Sequence, residues 1–407
     1  MLLTFTPLAA LLFAVIAQAG FAAGLLWVGS ANRQPNRFLA LLMLTIALWL
    51  LDGFFRVAGV YGQRPEWYFL PIYYSFAFGP LLYFYVQSLI NHDFRFQRGQ
   101  LWHFGPVLVQ AALYSWLSLQ PYDFRNWFWQ HVHRPYTYRL EFLGTWVSLI
   151  LYLVLSLRLL RQYRRWLPEH FSEISQLRLQ WLRGLLLALA LVSGQWLVEL
   201  VLREFFGLYY RYDFSTELLG IVVFIIGVVG LRQANMQAVQ FTPEAPADEA
   251  LELTARPVSN VGAEPDGAMR APFPAHPEAP PPTPVAPREP VEVDAQVRER
   301  IRRALEDEQL FRNPTLTLAE LSAHTGLPPR LISFTVNQGF GKSFNDLVNG
   351  LRVAEVQRRL STTDDAARLT LLGIAFECGF NSKTTFNRIF KQFAGVSPSE
   401  YVAGRRP

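Results

Sequence analysis

The chain has 407 residues, of which 51% are hydrophobic and 14% aromatic but only 17% charged. Soluble domains carry roughly 25% charged residues, so this composition excludes a single water-soluble globule, and the length allows two or three domains. The formal net charge of +5 suits a membrane surface or a nucleic acid. The single cysteine, Cys378, excludes an internal disulfide and, set in an apolar stretch, reads as a small core residue.

About 20 apolar residues span a bilayer as a helix. Seven stretches approach that pattern: Thr4–Val28, Phe38–Val60, Tyr68–Ile90, Leu101–Leu119, Leu140–Leu160, Gly184–Phe206 and Thr216–Leu231. The last is short and is expected to continue helically towards Asn235. The first lacks a basic leading segment and is followed by further apolar stretches, so it reads as a retained helix rather than a signal peptide. With the N-terminus outside, the inner loops carry nine arginines and the outer loops five. That asymmetry predicts an N-out, C-in orientation in a bacterial inner membrane. Residues 1–235 are therefore expected to form a seven-transmembrane helix bundle.

Charges inside spans are costly and mark function or a buried pair. Asp52/Arg56 and Glu199/Arg203 each place an acid four residues before an arginine, on one helix face. Glu141 and Glu217 start their spans at the same outer level. The outer loop over Asn126–Tyr136 adds Trp127, Trp129, His131 and His133. One reading is an outward-facing ligand pocket with polar groups over aromatic rings. The other is that the pairs neutralise each other and fix helix register beneath an interfacial aromatic belt. His131 and His133 have no companion ligands at convincing spacing, so no metal and no cofactor are expected.

Residues 236–291 turn polar, acidic and Pro-rich, and thirteen of the chain's 27 prolines fall between Pro243 and Pro290. Such a segment cannot bury enough apolar surface to offset chain entropy and is expected to be a disordered or polyproline tether.

From residue 292 to 407 the pattern becomes that of a soluble all-α domain, with 16 Arg/Lys and 12 Asp/Glu from Val293 to the end. Val297, Ile301, Ala304 and Leu305 recur at helical spacing. Two helix-turn-helix units follow, at about 314–341 and 368–393. In the first, Thr317 and Glu320 form a capping box, Gly326 ends the helix, and Pro328 and Pro329 start the next. That second helix is expected in a DNA major groove, with Arg330, Ser333 and Asn337 facing it. Phe344 to Leu360 reads as a connecting helix with Leu347, Val348, Leu351 and Leu360 inward. In the second unit, Leu371–Ala375 is the supporting helix and Cys378-Gly379-Phe380 the turn. Asn381 or Ser382 caps a recognition helix over Lys383–Lys391, with Phe386, Ile389, Phe390 and Phe393 on the core side. Asn381, Ser382, Lys383, Thr384, Thr385, Asn387, Arg388 and Lys391 are the candidate DNA contacts, the cations for phosphate or guanine edges and the others for bases or backbone.

The run from Gly379 to Lys391, followed by Gly395-Val396-Ser397-Pro398-Ser399-Glu400-Tyr401, resembles the C-terminal signature of AraC/XylS regulators. Arg352 and Ala354 also fit. In the first unit Phe334-Thr335-Val336 stands where the common family form reads Arg-Leu-Phe. That variant is similar to the family branch with an N-terminal multi-helix membrane domain. The resemblance implies a membrane-bound transcription regulator with double-stranded DNA and RNA polymerase as partners. It implies two recognition helices in successive major-groove segments on one DNA face. A homodimer would raise avidity on repeated sites, although no heptad pattern demands one. A signal sensed by the membrane half, through Asp52, Arg56, Glu199, Arg203, Trp127 and Trp129, is the leading expectation. A transporter-like fusion and an anchor without ligand are the alternatives. No G-x-S-x-G, H-E-x-x-H or phosphate-binding glycine loop is present, so no enzymatic activity is expected.

Overall fold

The structure is a computed structural model that describes residues 6–29, 32–91, 93–174, 177, 179–207, 215–233, 294–361 and 370–404. The tether expected over 236–291, most of the loop expected over Gly207–Ser215 and the side chain of Glu217 lie outside the described residues. Every regular element among those described is helical. The chain divides into two compact units, and the short stretch Pro168–Glu173 belongs to the C-terminal one.

The N-terminal unit begins with α1 (Pro7–Val28), capped by the Thr6 hydroxyl, which accepts from the Ala9 N–H at 3.1 Å. α1 packs against α2 (Arg33–Val57), which buries Leu39, Met43, Ile46, Leu50 and Phe54 at intervals of three and four. After the short α3 (Val60–Gln63) come α4 (Phe78–Ile90), α5 (Gly105–Ser118), α6 (Tyr122–Phe128), α7 (Tyr138–His170), α8 (Gln180–Phe206) and α9 (Ser215–Gln233). A Cβ added at Gly79 would stand 2.5 Å from the Tyr152 ring, so glycine is what lets α4 approach α7 this closely. Leu11, Phe13, Phe21, Leu191 and Ile221 are each more than half exposed on the outside of these helices. Apolar surface on that scale marks a face suited to an apolar environment or partner.

Four helical stretches are long and apolar enough to cross a membrane: α1, α2, Tyr122–His170 and α8, with mean hydropathy between 1.9 and 2.2. The remaining three expected spans are shorter. The 3₁₀ turns Pro65–Phe69 and Ser75–Ala77 occupy the start of the stretch expected over Tyr68–Ile90, leaving a 13-residue α4. The 3₁₀ turn Arg98–Phe104 likewise precedes a 14-residue α5, with Pro106 in its first turn. Prolines here remove backbone donors and break helical continuity. Length and hydropathy therefore suffice for a membrane crossing in four of the seven expected stretches.

The C-terminal unit contains α10 (Ala295–Arg302), α11 (Leu318–Thr325), α12 (Pro329–Phe334), α13 (Phe344–Ser361), α14 (Leu371–Glu377), α15 (Lys383–Ala394) and α16 (Pro398–Ala403). It has two apolar clusters. The first gathers Ile301, Leu305, Leu318, Leu321, Ile332 and Phe344. The second gathers Val353, Val356, Ile374, Phe380, Phe386 and Phe390. α13 supplies residues to both and so joins the two helix-turn-helix units. Between the clusters lies Arg352, 1% exposed. Its Nε donates to the Phe311 carbonyl at 2.8 Å, Nη2 to the Asn313 carbonyl at 2.7 Å, and Nη1 to Asn349 Oδ1 at 3.1 Å. Burial lowers its pKa to about 10, which leaves it protonated at neutral pH. Cys378 is buried in the second cluster, and burial raises its thiol to about 11, so it packs as a small apolar residue.

The turn of the second unit requires glycine. Gly379 has φ +95°, and an added Cβ would stand 2.6 Å from the Phe311 carbonyl oxygen. Gly379→Ala is expected to cost about 1–3 kcal/mol of backbone strain and to increase the protease sensitivity of the C-terminal unit, measured on the full chain at rising temperature.

Candidate nucleic-acid interface

α15 is built to present one polar face. The Ser382 hydroxyl caps it by accepting from the Thr385 N–H at 3.1 Å, and Gly395 ends it with φ +78°. Phe386, Ile389 and Phe390 are buried at helical spacing, which turns Lys383, Thr384, Asn387, Arg388 and Lys391 outwards, all of them exposed. Asn381 is exposed just before the cap. Two assignments require correction. Thr385, expected at the DNA surface, is 3% exposed and accepts a hydrogen bond from the Ser382 hydroxyl at 2.9 Å. It sits four residues before Ile389, on the core face. Phe393, expected in the core, is 37% exposed at the edge of the helix, beside Gly350.

The first unit is assembled by the same local devices. The Thr317 and Glu320 capping box is present, with bonds of 2.9 and 3.1 Å, and Gly326 takes φ +67°. Pro328 is the cap and Pro329 the first residue of α12, which continues as a π-helical turn over Thr335–Gly339. Arg330 is exposed, while Ser333 and Asn337 are half-buried. The candidate contacts thus lie on unequal surfaces: the five named on α15 are exposed, whereas on the first recognition segment Arg330 is exposed and Ser333 and Asn337 are recessed, with Gln338 exposed beside them.

Three of the candidate sensing residues of the N-terminal unit, Asp52, Arg56 and Trp129, fall into a connected polar and aromatic network. The Asp52 carboxylate accepts from Arg56 Nη2, Tyr61 Oη and Tyr73 Oη, each at 2.6 Å. Tyr73 stacks on Tyr114, whose hydroxyl donates to Glu141 at 2.9 Å. Tyr61 stacks on Tyr68, which contacts Trp129, and Trp129 stacks on His133. Trp127 lies apart from this run, half exposed and stacked on His131. Arg203 is buried over the Phe142 ring at 4.0 Å and near the Tyr138 ring at 5.2 Å, with Glu204 at 3.3 Å. Glu199 accepts from Gln195 at 3.5 Å. Among the described residues, no group of three or more His, Cys, Asp or Glu is placed to hold a metal. Sequence reasoning missed Tyr61, Tyr73 and Tyr114. The available signal was that an aspartate within an apolar span needs donors, and tyrosines flank it on the next two segments.

The profile of a helix-turn-helix domain family matches residues 321–404. The chain is 31% identical over 99 residues to an uncharacterized HTH-type transcriptional regulator of Staphylococcus aureus (strain COL), covering 24% of this chain and 13% of that protein. It is also 31% identical over 87 residues to the arabinose operon regulatory proteins of Salmonella typhimurium and Escherichia coli (strain K12), covering 21% of this chain and 30% or 28% of theirs. The chain therefore spans under a third of the length of these relatives. No solved structure matches it. Residues 321–404 form a helix-turn-helix domain similar to part of the arabinose operon regulatory proteins, and these similarities concern that part of the chain alone.

The cap and the polar face of α15 have separable roles. Ser382→Ala is expected to cost about 1 kcal/mol of stability. Asn387→Ala should leave the melting temperature unchanged and weaken specific DNA binding by about 1–3 kcal/mol. Thermal unfolding and DNA titration of the same two full-length variants check both statements.

Proposed function

We propose that the protein is a membrane-bound, one-component transcription regulator of the bacterial cytoplasmic membrane. Its C-terminal unit binds specific double-stranded DNA in the cytoplasm and influences RNA polymerase, and its N-terminal helices receive the signal. The observation that carries the reading is α15: a buried aromatic stripe beneath Lys383, Thr384, Asn387, Arg388 and Lys391, all exposed on a capped helix. A major groove admits one such helix, phosphates take the cations, and base edges take the amide and hydroxyl groups. The first recognition segment, with Arg330, Ser333 and Asn337, contributes positioning and fewer base contacts. The four long apolar helices and their exposed apolar surface support the membrane location. The arginine asymmetry of the loops supports the N-out, C-in orientation.

The Asp52 network is the proposed receiving site. It joins α2, the segment after α3, α5 and α7 through hydrogen bonds and stacked rings. A change in its protonation or hydrogen bonding is therefore felt by several helices together.

The reading is tested by titrating the full-length protein in membranes with DNA upstream of its own gene and with unrelated DNA. Preference for its own DNA is expected, with affinity falling as salt rises. Lys391→Ala should weaken binding to both DNAs alike and reduce the salt slope by about 1. Equal affinity for the two DNAs in the wild type counts against the reading. For signal reception, Asp52→Asn keeps an oxygen acceptor but removes the charge that Arg56 and both tyrosines hold. It should change output from a promoter reporter several-fold at unchanged protein level. Unchanged output would assign the N-terminal unit to anchoring alone.

A further inference from the structure

α7 runs for 33 residues, from Tyr138 to His170, about 50 Å at 1.5 Å per residue. Glu141 in its first turn belongs to the Asp52 network through Tyr114. Immediately after its last residue the chain pairs with the first helix-turn-helix unit. Phe171 forms an antiparallel bridge with Thr317. The Ser172 N–H and hydroxyl both donate to the Leu316 carbonyl, at 3.1 and 2.7 Å. The Asn345 amide donates to the carbonyls of Phe171 and Ser172, at 3.1 and 2.8 Å, and the Asn349 amide donates to the Ser172 carbonyl at 2.9 Å. Arg352 Nη2 donates to the Ser172 hydroxyl at 3.2 Å. Ser172 is 1% exposed. By these contacts Pro168–Glu173 belongs to the C-terminal unit, although Leu167 and Ile174 on either side belong to the N-terminal one.

This is a built receptor for an extended backbone. Asn345, Asn349 and Arg352 stand on successive turns of one face of α13 and converge on a single serine. They satisfy its carbonyl and hydroxyl, while the Leu316 carbonyl takes both of its protons. Packing alone would require none of this, because buried amides and a buried guanidinium are costly unless their partners are supplied.

We propose that Phe171–Ser172 is the connection through which the N-terminal unit governs DNA binding, with the cleft of Leu316, Asn345, Asn349 and Arg352 as its receptor. The proposal rests on the DNA-binding reading above. With the segment seated, α13 is held firmly between the two apolar clusters, and the recognition helices of both units keep one spacing. With the segment withdrawn, the Asn345 and Asn349 amides lose their acceptors and Arg352 loses one of its four partners. The joint between the clusters then slackens, and simultaneous entry into successive major-groove segments is lost. The seated state is the DNA-competent one. A Pro-rich tether, as expected over 236–291, transmits rigid motion poorly. The end of α7, with Pro168 in its last turn, instead leads at once into a hydrogen-bonded segment.

The test uses the full chain in native membranes, with a protease site inserted after Pro282. Facing residues of an antiparallel bridge have Cα atoms about 4.5–5.5 Å apart, within disulfide reach. After oxidation, Phe171→Cys combined with Thr317→Cys is expected to hold the C-terminal fragment covalently to the membrane fragment once the protease has cut. Each single substitution should release it. Asn345→Ala, which removes two bonds to the segment and none to Arg352, is expected to lower affinity for the protein's own promoter DNA at least threefold. Ser172→Pro, which removes both donors, is expected to lower it at least tenfold. Deleting residues 271–280 should leave it within twofold. Absence of the disulfide in the double variant, or affinity within twofold of wild type for both Asn345→Ala and Ser172→Pro, overturns the proposal. Failure of the wild type to bind DNA would instead overturn the DNA-binding reading, and the disulfide result would still report whether the segment is seated.

Discussion

The C-terminal unit depends on the burial of one guanidinium. Arg352 lies between two apolar clusters that do not merge, and it holds them together by donating to the carbonyls of Phe311 and Asn313, to Asn349 and to Ser172. Charge-assisted bonds in a dry setting contribute more than neutral ones, roughly 1.5–3 kcal/mol each, and an arginine's planar fork offers several in fixed directions. The Arg352 side chain donates to main-chain oxygens and two polar side chains, and the Glu173 carboxylate favours its charged form. That set of partners suits a residue at the joint between two DNA-reading modules.

Local features of the C-terminal unit were legible in the sequence because they are set within one or two turns. The Thr317 and Glu320 capping box, Gly326, Pro329 at the helix start and the Ser382 cap all follow from residues three or four positions apart. Thr385 and Phe393 were misplaced for a shared reason. A twelve-residue helix buries a stripe whose edge is set by what packs against it: Thr385 is turned in beneath the Ser382 cap, and the Phe393 ring lies at the rim beside Gly350 of α13. Periodicity gives the stripe but not its edge. The N-terminal unit shows the same limit. Hydropathy alone located the apolar stretches, while the 3₁₀ turns at Pro65–Phe69 and Arg98–Phe104 shortened two of them.

Interactions between distant residues were not legible. Asp52 finds Tyr73 across 21 positions and Ser172 finds Arg352 across 180. The sequence marked Asp52 as a charge paired with Arg56 and as a candidate sensing residue, and it did not single out Ser172. Both become informative once their partners are known. The Asp52 carboxylate is filled by three donors, and Ser172 is enclosed by donors from one helix. α7 has Glu141 in its first turn and Pro168 in its last, and it is followed directly by Phe171 and Ser172. The proposed connection would let the N-terminal helices act on the C-terminal unit without assigning that role to the Pro-rich stretch.

Protection footprinting of the full-length protein in membrane vesicles on its own promoter tests the central claim most directly. The account predicts two protected segments one helical turn apart on one face of the DNA, with the stronger protection at the segment read by α15. A single protected segment, or uniform protection independent of sequence, would contradict it.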